Sequence, residues 1–78
     1  MYSKEDYIND LTDYIQEKEE NIRFLNDSIL KVKEAYENSD KTEYFKKSRD
    51  YVLKTLKEEL KRDEKIVKIL KEHLEKEQ

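Results

Sequence analysis

His73 is the sole histidine, and Glu77 follows it by one helical turn. An imidazole and a carboxylate at that spacing can touch one metal ion, but two ligands do not make a site and no cysteine adds a third. With a single His and no Cys, neither a His-activated nucleophile nor a multi-histidine centre can be assembled. The serines fall at helix ends or on helix surfaces with no base beside them. Gly is absent, which removes phosphate-cradling loops and oxyanion turns. Acids are plentiful, but many precede a base by four residues: Glu19→Arg23, Asp27→Lys31, Glu43→Lys47, Asp50→Lys54, Glu58→Arg62, Glu64→Lys68 and Glu72→Lys76. That arrangement suits helix-surface ion pairing and singles out no catalytic pair. The expectation is therefore no catalytic, cofactor or metal site.

One basic pattern bears on nucleic acid. Lys47, Lys54, Lys61 and Lys68 recur every seven residues, a line along one helix. Three of the four have an acid four residues earlier, and the chain carries a net charge of −3, whereas nucleic-acid binders are usually basic. A solvated face is the expected reading, with nucleic acid as an alternative. The acids are concentrated early: residues 1–20 hold seven acids against two lysines. Acids favour a helix N-terminus and attract a more basic second segment. A sharper alternative is an acidic surface that mimics nucleic acid toward a basic partner.

Positioning elements must be helices. Seventy-eight residues make one small domain, 47% charged, without Gly, Pro or Cys. Tight turns and hairpins of strands depend on the missing Gly and Pro. The absence of cysteine, in a chain small enough to need disulfides outside the cell, points to a cytoplasmic protein. The longest apolar run is Tyr51-Val52-Leu53, too short to span a membrane, and "MYSKEDYIND" lacks the apolar core of a signal peptide.

A heptad series runs through Ile8, Leu11, Ile15, Lys18, Ile22, Leu25, Ile29, Val32 and Tyr36, its spacings alternating three and four. Continued, its Ile8 column would meet only charged residues from Glu43 onward, so the phase breaks. A second series takes over: Arg49, Leu53, Leu56, Leu60, Asp63, Val67, Leu70, Leu74. The break lies in "ENSDKTE", where Asn38 can turn left-handed and Asp40 with Glu43 can cap a new helix. These patterns predict an all-α, antiparallel two-helix coiled-coil hairpin: helix 1 over about 4–37, a turn at about 38–41 and helix 2 over about 42–76. Ser3 with Asp6 is the expected N-terminal cap. Closing the hairpin sets Leu11 near Leu70, Ile15 near Val67, Leu25 near Leu56 and Tyr36 near Phe45. It also sets Lys18 beside Asp63, the charged interruption of each seam, and predicts a partly buried ion pair that fixes register.

One seam is too little core for 78 residues. The apolar residues left over gather on one edge: Tyr7 and Tyr14 from helix 1, with Tyr44, Phe45, Tyr51, Val52, Ile66, Ile69 and His73 from helix 2. The opposite edge is charged. A one-sided apolar edge marks an interface, whose simplest occupant is a second copy, giving a four-helix bundle. Phe24 and Leu30 lie off both stripes. Size and hairpin outline resemble those of the small two-helix aspartyl-phosphate phosphatases of spore-forming bacteria. Their serine-to-aspartate signature is not found, "KKSRDYV" being the nearest stretch and lacking the spacing, so no family is recognised. The expected function is non-enzymatic protein binding by a small adaptor or inhibitor that dimerises and occupies a partner's surface. Lys-, Glu-, Asn-, Ile- and Tyr-rich usage suits an AT-rich bacterial or phage genome, hence a regulator or counter-defence protein. A nucleic-acid-binding dimer and a purely structural self-assembling subunit are the alternatives.

Overall fold

The computed structural model describes residues 1–77. Two helices, α1 (Lys4–Glu37) and α2 (Glu43–Glu77), pack along each other as a hairpin, with no strand among the described residues. The molecule measures 58 × 19 × 15 Å, and its radius of gyration is 17.7 Å, against about 11.5 Å for a compact chain of this length. It is a two-helix layer, so each helix keeps only one packed side.

The capping box expected of Ser3 is present. The Ser3 hydroxyl accepts the Asp6 amide at 3.1 Å, and the Asp6 carboxylate accepts the Ser3 amide at 3.1 Å. Tyr2 reaches over the first turns and donates its hydroxyl to Asp10 at 2.7 Å. That bond, helped by the negative charge of Asp10, pushes the Tyr2 phenol up from 10.0 to about 12.

The turn differs from expectation at two places. Asn38 is not left-handed (φ −96°, ψ 7°); the left-handed residue is Lys41, at φ 53°. Ser39 explains the shift. Its hydroxyl donates to the Tyr36 carbonyl at 2.7 Å and accepts the Lys41 amide at 3.3 Å, so the first reversal needs no left-handed residue. The chain then realigns at Lys41, whose ammonium holds Glu37 at 3.2 Å. Realignment there brings Thr42, rather than Asp40, to the cap of α2. Its hydroxyl accepts the Phe45 amide at 3.3 Å, and its carbonyl accepts the Lys46 amide at 2.9 Å. A lysine at positive φ carries a steric cost that glycine avoids. Lys41→Gly is expected to stabilise the hairpin by about 0.5–1 kcal/mol, net of the looser unfolded chain. A urea melt showing a loss instead would mean that the Glu37 contact outweighs the backbone strain.

The core is short of apolar residues. Leu11, Ile15, Leu25, Ile29 and Val67 are buried. Leu11, Ile15 and Val67 form one cluster, with Tyr7, Ile22, Leu70 and Leu74 packed against it. That agrees with the expected levels of Leu11 with Leu70 and Ile15 with Val67. Along α2 the seam leucines Leu53, Leu56 and Leu60 are only half-buried, as are Leu70 and Leu74. Neither helix is long and apolar enough to cross a membrane.

Candidate interaction surface

Position in the heptad defines the candidate face. Residues one place before the seam on both helices point to the same side of the layer, because antiparallel helices present their corresponding flanks together. On α1 these are Tyr7, Tyr14, Asn21, Ser28 and Ala35; on α2 they are Phe45, Val52, Glu59, Ile66 and His73. Tyr7 and Ile66 are half-buried, Tyr7 against the core cluster. Tyr14, Phe45, Val52 and Ile69 keep 37–46% of their surface exposed, and Tyr44 and Tyr51 keep more than 70%. His73 is exposed. Phe24 and Leu30, off both stripes, are also exposed.

At the turn end this face hollows into a shallow cleft of about 250 Å³. Val32, Ala35, Tyr36 and Ser39 line it from α1 and the turn; Phe45, Ser48, Arg49 and Val52 line it from α2. The cleft exists because the facing positions are small: Ala35, Ser39 and Ser48 leave room between larger neighbours. The Arg49 guanidinium lies 3.9 Å above the Tyr36 ring and holds Asp50 at 2.9 Å. Arg49 thus covers the last aromatic of the α1 seam instead of running out to water, since a planar guanidinium stacks well on a ring. Phe45, expected to meet Tyr36, packs edge-on against Tyr44 with ring centres 5.8 Å apart.

Midway along the layer lies a polar clasp. Asp63 is buried, 4% exposed, and its carboxylate accepts the side-chain amide of Asn21. Asn21 thus takes the place expected of Lys18. Lys18 is half-buried with its ammonium 5.5 Å from the centre of the Tyr14 ring, and no Lys18–Asp63 ion pair forms among the described residues. The reason is desolvation. Carrying an ammonium into the seam costs more than placing its stem along Tyr14 and leaving the charge at the rim. Asn21, a neutral amide one position outside the seam, supplies a donor without burying a second charge. Among the described residues, every buried side-chain polar atom has a partner.

The charged edge is sparsely paired. Of the acid-before-base pairs expected on the helices, Asp27–Lys31 closes, at 3.0 Å, and the other six do not among the described residues. Asp50 turns to Arg49 rather than Lys54, and Glu19 bridges the helices to Lys71 at 3.4 Å. Exposed i,i+4 pairs return little in water, so the side chains stay extended. Lys54, Lys57 and Lys61 surround a second shallow depression with Asp50, Leu53 and Glu58. No three His, Asp or Glu side chains among the described residues are grouped so as to hold a metal ion.

Comparison with protein families, characterised proteins and solved structures finds no match. The face is apolar, aromatic and partly concave at the turn end, carries Tyr7 and Tyr14 toward the open end and is polar at its centre. Sequence spacing located this face, but two of its contacts escaped it. They are the Asn21 amide on Asp63, reached from one position outside the seam, and the Arg49 guanidinium over the Tyr36 ring of the opposing helix.

Proposed function

We propose that this chain is a non-enzymatic protein-interaction module that works by seating its apolar face on another polypeptide, as a small intracellular adaptor or inhibitor. The observation that carries this reading is the face itself. Tyr14, Phe45, Val52 and Ile69 are exposed on one side of a layer whose own core, among the described residues, holds five buried apolar side chains. A hairpin that hides so little gains from covering that side, and Tyr and Phe offer large contact area at low entropic cost. Self-association into a four-helix bundle is the first form of binding this face supports.

Tyr14→Ala and Ile66→Ala together test the reading. The pair is expected to weaken association at this face by at least about a hundredfold, as loss of two central apolar anchors does. Circular dichroism at matched concentration checks that the helices persist. Unchanged association in a folded double variant would overturn the use of this face.

The lysine line supports a second reading, nucleic-acid binding, because Lys54, Lys61 and Lys68 hold no ion-pair partner among the described residues. Charge reversal at these three positions separates the two readings. It abolishes a salt-sensitive nucleic-acid affinity if one exists, and leaves binding at the apolar face in place.

A further inference from the structure

The proposed interaction face carries internal information about its occupant and orientation. We infer that the occupant is a second copy of this chain, docked face to face about a two-fold axis that crosses the hairpin at Asn21 and Glu59, so that the two turns lie at opposite ends. This rests on the protein-binding reading above and adds the partner and the geometry.

Surface area selects a second copy. The chain exposes 6385 Å², whereas a compact monomer of 9.6 kDa exposes about 5,100 Å². The excess, about 1,300 Å², exceeds the roughly 800 Å² per partner of a standard interface. A two-helix layer doubled on itself becomes a four-helix bundle with an ordinary core, and no other protein is needed to complete it.

Two face-to-face arrangements are open to a two-fold dimer. With the axis along the hairpin, both turns share one end and α1 faces the partner's α2. Tyr14 then meets Ile66, and Ala35 meets Phe45. With the axis across it, α1 faces α1 and α2 faces α2, each antiparallel. Tyr7 then comes level with Ala35, Tyr14 with Ser28, Phe45 with His73 and Val52 with Ile66. Both arrangements oppose large residues at some levels and small to large at others, but only the second lays the open end of one copy, with Tyr7 and Tyr14, over the turn-end cleft of the other. The first sets each cleft against the other copy's cleft.

Charge makes the same choice. The open end, residues 1–20 and 63–77, carries twelve acids and six bases, a net −6. The turn half, residues 21–62, carries eight acids and eleven bases, a net +3. The crossing axis sets the negative end on the positive half twice over; the lengthwise axis sets like on like. Its one cost lies on the axis, where Glu59 faces the second copy's own Glu59.

The chain has no cysteine, so Asp40→Cys in the turn gives a single labelling site. Sedimentation equilibrium at tens of micromolar is expected to show a dimer, and dipolar spectroscopy on nitroxide-labelled chain a distance near the 58 Å hairpin length. Glu59→Gln is expected to tighten the dimer by about tenfold, because it removes the facing like charges. A distance near the 19 Å hairpin width, or no gain from Glu59→Gln, overturns the crossing axis. A monomer overturns the second copy as occupant. Such a monomer leaves the protein-binding reading standing or falling on partner capture with the Tyr14/Ile66 variant, so the two failures are told apart.

Discussion

Leu25→Ala is expected to cost about 2–5 kcal/mol and to leave little folded hairpin at 25 °C. Among the described residues Leu25 is the most buried apolar side chain, 2% exposed, in a core of five. A small helical protein seldom has more than about 3–5 kcal/mol in hand, so one cavity of this size consumes most of it. The seam cannot collapse around the loss, because Leu53, Leu56 and Leu60 beyond it are already only half-buried. Leu30→Ala is the internal control. Five residues away and 58% exposed, Leu30 is expected to change stability by less than about 0.5 kcal/mol. Urea melts followed at 222 nm, at one fixed chain concentration, decide the matter. Equal effects at the two leucines would mean that the seam does not hold the hairpin together.

Asn21→Ala has the next largest expected effect, a loss of about 1–3 kcal/mol, because it strands a buried carboxylate. The amide of Asn21 is the hydrogen-bond donor to the Asp63 side chain. Removing the acid instead has the opposite consequence. Asp63→Leu returns the position to the apolar series of Leu60, Val67 and Leu70, and is expected to be neutral or stabilising by about 1–2 kcal/mol. The double variant Asn21→Ala/Asp63→Leu should therefore be more stable than Asn21→Ala alone. Lys18→Leu serves as the comparison. With its ammonium over Tyr14, Lys18 is expected to show less than about 0.5 kcal/mol of coupling to Asp63. Strong Lys18–Asp63 coupling combined with a harmless Asn21→Ala would put the charge pair back in the seam.

The clasp bears on register more than on strength. Apolar heptads are nearly interchangeable, so a hairpin built from them alone can slide by a turn at small cost. A one-heptad slip sets the Asp63 carboxylate level with Tyr14 or Ser28 in place of Asn21. Polar groups in a seam penalise such alternatives because a buried carboxylate without its donor is expensive. Correct register in turn aligns the cleft on one half of the face with the aromatics on the other. Asp63→Leu can thus gain stability while loosening the alignment on which the proposed dimer depends.

Helix identity was legible because it is written locally. The alternating three-and-four spacing from Ile8 to Tyr36, the change of phase after it and the absence of Gly and Pro determine two helices and a reversal between them. The Ser3–Asp6 cap is equally local, since all its atoms lie within one turn. The side of the layer that would carry the apolar residues also followed from spacing, because helical period alone fixes which side chains share a flank. Tertiary structure decided which of several nearby groups would satisfy each polar atom. Lys18 and Asn21 both sit within reach of Asp63's level, and the desolvation cost of an ammonium, invisible in a heptad diagram, chose the amide. At the turn, Ser39 made the first reversal without a left-handed Asn38, the left-handed residue became Lys41, and Thr42 took the cap expected of Asp40. Period is a property of the chain, whereas choice of partner depends on which atoms lose water together, and that exists only once the hairpin has closed.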